Sequence, residues 1–333
     1  MPIVSIIIPC YNEQDTIQEL LAAIHTQTYV REQLEVIIAD GISTDQSRER
    51  IYDFQVEHPD LDIQLVDNPR RIIPAALNTA IQASRGEIIL RMDAHSKPYP
   101  DYISRCVDAL ETNLGENVGG IWDIQPRHTG WIPESIAVAA THPLGVGDAR
   151  YRHATKPAYV DTVPFGAFKR ELLALIGFYD ETLLTNEDYE FNARIRKSGG
   201  KIWLDPSIRS IYYAQPTITG LARQYWRYGF WKWRMLRRYP ETLRWRQGLP
   251  PLFVLSLIIG LLAGIVAPIM WASLGIEISI YLTILLTIST LTSIRKRKAF
   301  LILGLPLAIA IMHLCWGAGF LWSMIKPIRT KSA

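Results

Sequence analysis

Cysteine is scarce, with three in 333 residues, at positions 10, 106 and 315. That spacing excludes a disulfide framework and a CxxC metal site, and leaves all three as packing residues. Neither GxGxxG nor GxxxxGK[ST] occurs, so the two glycine-rich phosphate cradles are absent. Acid is nearly missing from the C-terminal part: after Glu241 only Glu277 remains. The opening "MPIVSIIIPC" has no basic leader and runs straight into a strand pattern, so the N-terminal part is expected to stay in the cytoplasm.

What replaces the missing acid is base and then hydrocarbon. Residues 223–246 hold Arg223, Arg227, Lys232, Arg234, Arg237, Arg238, Arg244 and Arg246 against the single acid Glu241, although the whole chain is only +3. Beside apolar segments, such a collar reads as contact with a membrane surface and not with nucleic acid. Three uncharged runs follow, at 252–272, 278–294 and 299–325. Crossing a bilayer takes roughly 20 apolar residues. Glycine and proline inside the runs suit membrane helices. The collar and "RKRK" (295–298) both belong on the cytoplasmic side. Two crossings between them satisfy both. A third would leave Lys326, Arg329 and Lys331 outside, against the same tendency, and the sequence leaves this open.

The N-terminal part alternates. "VSIIIP" (4–9), "LEVIIAD" (34–40), "DIQLVDN" (62–68) and "EIILRMD" (87–93) read as strands. The helices between them are predicted over 12–27, 43–58 and 74–84, the last opened by Pro74. Alternating strands and helices give a parallel sheet covered on both faces. Ligands then sit beyond the C-terminal strand ends, where Tyr11, Asn12, Glu13, Asp40, Asn68, Asp93 and His95 lie. Asp40 beside Gly41 is either a turn residue or a ligand contact. Asp93 and His95, one residue apart, are either a capped loop or a carboxylate and an imidazole offered to a divalent cation. The acids of "NEDYEF" (186–191) are either a helix start favoured by the helix dipole or working carboxylates.

Taken in order, "VSIIIPCYNE", "IIADGISTDQS", "ALNTAIQASRGEIILRMDAH", "GAFKRELLALIGFYDE" and "NEDYEFNARIRKSGGKI" resemble the inverting family 2 glycosyltransferases over about residues 3–230. With "HPLGVGDARYR" (142–152) and the apolar tail, the resemblance narrows to membrane enzymes of exopolysaccharide biosynthesis, of the succinoglycan glucosyltransferase type. It implies a GT-A-type, mostly parallel α/β sheet with helices on both faces, spanning 1–215. A basic, aromatic interfacial region (216–248) and a transmembrane region (249–328) follow. It implies a UDP-sugar donor, with Asp40 on the uracil and Pro9, Tyr11, Glu13 and Arg71 lining the same pocket. Asp93-Ala94-His95 takes the place of the family's DxD, so Asp93 would contact sugar or ribose, and Asp93 and His95 would hold a divalent metal, Mn²⁺ or Mg²⁺. The His at the third position departs from the pattern and bears on which metal, since imidazole suits Mn²⁺ better. Asp188 would be the general base, with Asp161 as a further carboxylate to consider, and Glu187 would hold the acceptor. Gln224-x-x-Arg227-Tyr228 resembles QxxRW with Tyr for Trp and would face acceptor or diphosphate; its plainer reading is an interfacial helix on lipid phosphate. The implied acceptor is a lipid-linked glycan, and the implied location is the inner membrane, multi-pass, with the catalytic domain in the cytoplasm. Transfer to polyprenyl phosphate, processive polymerisation, or a non-catalytic membrane scaffold are the alternatives.

Overall fold

The computed structural model describes residues 1–326. The chain forms two compact units, residues 1–123 with 150–212, and residues 124–149 with 213 onward. The span 1–215 expected as one domain is thus interrupted by a segment belonging with the tail.

In the first unit, β1 (Val4–Cys10), β2 (Leu34–Asp40), β3 (Asp62–Asp67) and β4 (Ile88–Arg91) pair in parallel in the order 3-2-1-4. β2 and β4 are buried throughout and β1 nearly so, which is why they read as continuous apolar runs. β3 lies at the edge and exposes Asp62, Gln64 and Asp67, charges and amides that discourage edge pairing. Between the strands run α1 (Ile17–His25), α2 (Ser47–Glu57) and α3 (Ile73–Ala83).

The first helix starts later than predicted. Asn12 takes a left-handed φ of 56°, and residues 12–14 bond the β2–α2 loop instead of one another. Asn12 N donates to Ser43 Oγ (2.9 Å), Thr44 N to Asn12 Oδ1 (2.8 Å) and Glu13 N to Ser47 Oγ (2.7 Å). The second helix is shortened for the same reason: its predicted first turn is that loop.

Beyond β4 the sheet changes character. It continues through β5 (Ser96–Pro98), β6 (Asn117–Pro126), β7 (Ala158–Val160), β8 (Ala167–Lys169) and β9 (Ile202–Ala214) in the order 4-8-6-9-5, with β7 also on β9. The pairings β4–β8, β6–β8, β5–β9 and β7–β9 are antiparallel. The sheet is therefore mixed, with its first four strands parallel. Those antiparallel strands are mostly short and carry no long apolar run, which hid them from sequence reading. The helices α4 (Tyr102–Glu111), α7 (Leu172–Ile176) and α8 (Glu187–Lys197) also belong to this unit, while α5 (Trp131–Ala139) and α6 (Pro143–Val146) fall in the other.

The second unit adds α9 (Ile218–Leu236), α10 (Trp245–Val266), α11 (Ile269–Lys296) and α12 (Leu301–Ile325). The last three are long and apolar enough to cross a membrane. The predicted run 252–272 straddles the break between α10 and α11. Pro268 has no amide to donate and forces Ala267 into an extended conformation (φ −128°, ψ 99°), which ends α10. Glu277 consequently lies inside α11, where its carboxylate accepts from Ser256 Oγ of α10.

One contact in the first unit admits no extra atom. A methyl group on Gly120 of β6 would overlap the Ile208 carbonyl of β9. Gly120→Ala should cost about 1–3 kcal/mol of stability, read as a lower apparent melting temperature of the detergent-solubilised protein; an unchanged midpoint would show that β6 and β9 can part without cost.

Candidate active site

The strand order reverses between β1 and β4, so the crevice beyond their C-terminal ends is the place for a ligand. The loops there are strained. Asn12, Ile42 and Arg71, which follow β1, β2 and β3, have φ of 56°, 57° and 55°. For a β-branched residue such as Ile42 this is a genuine outlier. Such conformations cost on the order of 1–3 kcal/mol each and cluster where a site must be held in one shape.

Asp40 is fully buried. It accepts Ser43 N (3.0 Å), Ser43 Oγ and Arg48 Nη1 (2.9 Å), and Arg48 also reaches Asp67 (2.7 Å). Asp40 thus fixes the loop that grips Asn12 and Glu13. Tyr11 is exposed beside it, where a side-chain carbon added to Gly41 would meet its ring at 3.0 Å, and the Arg71 guanidinium lies 5.8 Å from the centre of that ring. Pro9 faces Ala39 of β2, while the β1–β4 ladder has already ended at Ile7 and Arg91, so its missing amide breaks no bond there. Cys10 is 4% exposed, and burial, with Asp40 and Glu13 adding, pushes its thiol well above the usual range.

At the end of β4 stands a residue the sequence reading passed over. Arg91 is 3% exposed. Its Nη2 donates to Asp93 Oδ1 (2.8 Å) and Glu187 Oε1 (3.0 Å), and its Nη1 pairs with Asp188. Burial works against its charge, but Asp188, Asp93 and Glu187 outweigh it and hold the guanidinium well above its ordinary pKa. The signal was present in "IILR": a charge in a buried strand is rare unless paired.

Glu187 and Asp188 open α8, after Asn186 in a left-handed conformation. Glu187 is buried, whereas the Asp188 side chain keeps 26% of its surface open. Three carboxylates face one guanidinium, so two unit negative charges stay uncompensated when all are ionised. The Asp188 carboxyl is raised to about 7, by burial first, with Glu187 and Asp93 adding and Arg91 opposing. Tyr189, next to it, donates to Asp161 (2.6 Å).

Residues 93–96 form a turn closed by Ser96 N donating to Asp93 O (2.9 Å). Asp93 faces Arg91. His95 faces Glu13, with Nδ1 3.1 Å from Oε1, and its ring lies 6.2 Å from Tyr212. With Nδ1 donating to Glu13, Nε2 carries the lone pair, the arrangement by which a carboxylate orients a metal-binding imidazole. The donor set, one carboxylate and one oriented imidazole beside excess negative charge, fits a divalent cation. A second group of metal-type donors, His25, His58 and Asp60, lies within 4.8 Å of one another. There the Arg31 guanidinium already touches both His25 and Asp60.

Gln224, Arg227 and Tyr228 lie on α9 in the second unit, where Gln224 Nε2 donates to Tyr228 OH (3.1 Å). Sequence reasoning also missed an aromatic group in the first unit. Trp122 stacks on Tyr212 (4.1 Å, 7°), with Tyr151 at its edge and Arg152 over its face (5.2 Å). Tyr151 and Arg152 are the end of "HPLGVGDARYR".

Removing the guanidinium would leave three carboxylates without a counter-charge. Arg91→Met should cost about 3–5 kcal/mol, and Arg91→Lys, which keeps charge but loses the fork, should cost less. Thermal unfolding and limited proteolysis of the solubilised variants measure this, and an Arg91→Met protein as resistant as the parent would dismiss the guanidinium as the centre of the cluster.

Residues 5–177 match the family model described as glycosyl transferase family 2. The chain is 27% identical to a dolichyl N-acetyl-alpha-D-glucosaminyl phosphate 3-beta-D-2,3-diacetamido-2,3-dideoxy-beta-D-glucuronosyltransferase of Methanococcus voltae, covering 99% of both chains. It is 29% identical to the succinoglycan biosynthesis protein ExoA of Rhizobium meliloti, covering 98% of this chain and 96% of that one. Among solved structures, the mannosyltransferase PcManGT from Pyrobaculum calidifontis, in complex with GDP-Man and Mn²⁺, shares the fold with a TM-score of 0.58 at 22% identity, over 94% of this chain and 87% of that one. With the family model covering more than half the chain and the fold shared, the protein belongs to glycosyl transferase family 2 and is a glycosyltransferase.

Proposed function

We propose that this enzyme moves a hexose, with inversion at carbon 1, from a UDP-sugar to a lipid-linked glycan at the inner membrane, in cell-surface polysaccharide or glycoconjugate synthesis. The observation that carries the reading is the Arg91 cluster: a half-open carboxylate, Asp188, held by a buried guanidinium at the end of a sheet strand with its pKa moved to about 7. A general base works best when its pKa lies near the working pH. The relatives support the acceptor class, one being named for a dolichyl phosphate-linked sugar and the other for succinoglycan. The apolar helices support the membrane, and the basic collar supports a cytoplasmic catalytic unit.

In this mechanism Tyr11 and Arg71 flank the nucleobase, while Pro9, Glu13 and Asp40 shape the pocket. Asp93 and His95 would hold a divalent cation, Mn²⁺ or Mg²⁺, which when bound offsets charge on the diphosphate. Asp188 takes the proton from the acceptor hydroxyl as its oxygen bonds to carbon 1 and the bond from carbon 1 to the UDP oxygen breaks on the opposite face. Arg91 positions Asp188 and Glu187, and Glu187 orients the acceptor.

Asp188→Asn should keep UDP-sugar binding and lose about 10²–10⁴ in single-turnover rate. Glu187→Gln should mainly raise the acceptor KM. A near-parental rate for Asp188→Asn would transfer the role to Glu187 or Asp161. Since Asp188 must be ionised to accept a proton, kcat/KM should fall as pH drops through about 7, and that acidic limb should be missing from the residual activity of Asp188→Asn. His95→Ala should weaken donor binding and alter the Mn²⁺/Mg²⁺ preference. Glu13→Gln, by disorienting the imidazole, should weaken metal affinity roughly 10–100-fold. Donor affinity indifferent to chelator and to both substitutions would overturn the metal assignment.

A further inference from the structure

A group of metal-type side chains lies in the first unit at the end of the sheet away from the crevice. The parallel strands end at the crevice, so the helix that follows each strand ends near the start of the next one. α1 ends at His25, ahead of β2, and α2 ends at Glu57, ahead of β3. His25, His58 and Asp60 meet at these helix ends. One ring nitrogen of each histidine and a carboxylate oxygen all lie within 4.8 Å of one another.

The local chain builds the group. Residues 58–61 form a turn closed by Leu61 N donating to the His58 carbonyl (3.2 Å), and the buried Leu61 anchors it. Pro59 presets φ in that turn, so Asp60 is held beside His58 at little cost in entropy. The two imidazole rings lie 4.2 Å apart, and Phe54 packs 4.3 Å from the His58 ring.

The hydrogen bonds of the group are incomplete. Arg31 Nη1 donates to both His25 Nε2 and Asp60 Oδ2. A guanidinium only donates, so His25 Nε2 presents its lone pair, and that lone pair faces the Asp60 carboxylate at 3.2 Å. Two acceptors at that separation need a cation between them. Arg31 supplies one, yet it leaves out His58, whose ring nitrogens make no hydrogen bond among the described residues. A divalent ion would satisfy all three. Zn²⁺ takes His nitrogen and Asp oxygen at about 2.0–2.2 Å in a tetrahedron, which sets ligand atoms roughly 3.4 Å apart. His25 Nε2 and the two Asp60 oxygens are separated by 3.4 and 3.2 Å. A rotation of the half-buried His58 ring brings in the third ligand, and water fills the fourth position. Arg31 Nη1 then yields its place while Nη2 keeps its bond to the His25 carbonyl (2.6 Å).

We infer that His25, His58 and Asp60 form a zinc site that staples the end of α1 to the turn after α2, with Arg31 as its displaceable stand-in. Two imidazoles and one carboxylate suit Zn²⁺ and not Mg²⁺ or Ca²⁺, which prefer all-oxygen shells. The site is separate from the cation proposed at Asp93 and His95, and it does not depend on the reaction catalysed.

The test uses the full-length protein, purified in detergent without a histidine tag, stripped with chelator and then freed of it. A His95→Ala background keeps the crevice out of the count. One equivalent of zinc should bind and raise the apparent melting temperature, as a ligand of the folded state alone does. His58→Ala should lose both the zinc and the shift while its far-ultraviolet circular dichroism stays that of the parent. Asp60→Asn, at an exposed position, should show the same loss, and it decides the matter where His58→Ala fails to fold. Arg31→Gln, which removes the competing cation, should bind zinc more tightly than the parent. No bound zinc, or equal binding by the parent and the ligand variants, would overturn the site. Weaker binding by a folded Arg31→Gln protein would overturn the role of the guanidinium as stand-in.

Discussion

A single buried guanidinium organises the carboxylate cluster at the end of β4. Arg91 ends β4, and all three of its acidic partners are polar groups that the surrounding sheet would otherwise expel. Breaking a buried pair is costly because the remaining charge is stranded, so Asp93, Glu187 and Asp188 hold Arg91 in place as much as it holds them. The cluster draws the start of α8, from far along the chain, to the tip of a central strand. The arrangement is not neutral. Burial first, and then the charges of Glu187 and Asp93, raise Asp188 against the pull of Arg91.

Much of the parallel half of the sheet was legible, and the reason is physical. β1, β2 and β4 are buried between layers, so their sequences are apolar runs with sharp polar ends. The antiparallel half was not legible, because strands such as β7 and β8 span three residues and depend on partners far away in sequence. Helix starts failed where side chains compete with the backbone: Asn12 and Ser43 bond across loops and hold residues 12–16 out of the helix. At the site, type and spacing left Asp93, His95, Glu187 and Asp188 open between structural and working roles, and only the family resemblance singled them out. Neither showed that Asp93 and His95 turn to different partners. Arg91 was visible as an anomaly and was not read as one. The tail's length and polarity were plain, but Pro268 as a helix break was overlooked among prolines that α10 and α12 tolerate.

The second unit shows how helices pack where hydrophobicity offers no discrimination between protein and lipid. Gly229, Gly304, Gly317 and Gly319 remove side chains at the contacts and let backbones meet. Close packing of small residues is the means by which membrane helices associate. It also accounts for α9 remaining attached to the tail despite its charge, with Lys232 donating to the Thr242 carbonyl and Arg234 resting on Phe230 and Trp231.

The protonated thiol of Cys10 has a consequence of its own. It ends β1, in register with Asp40, in a pocket that gathers negative charge. The thiolate, not the thiol, is the nucleophile. Burial and the acidic neighbours of Cys10 keep its proton on sulfur, so this cysteine is inert toward alkylating and oxidising reagents although it stands at the end of a central strand.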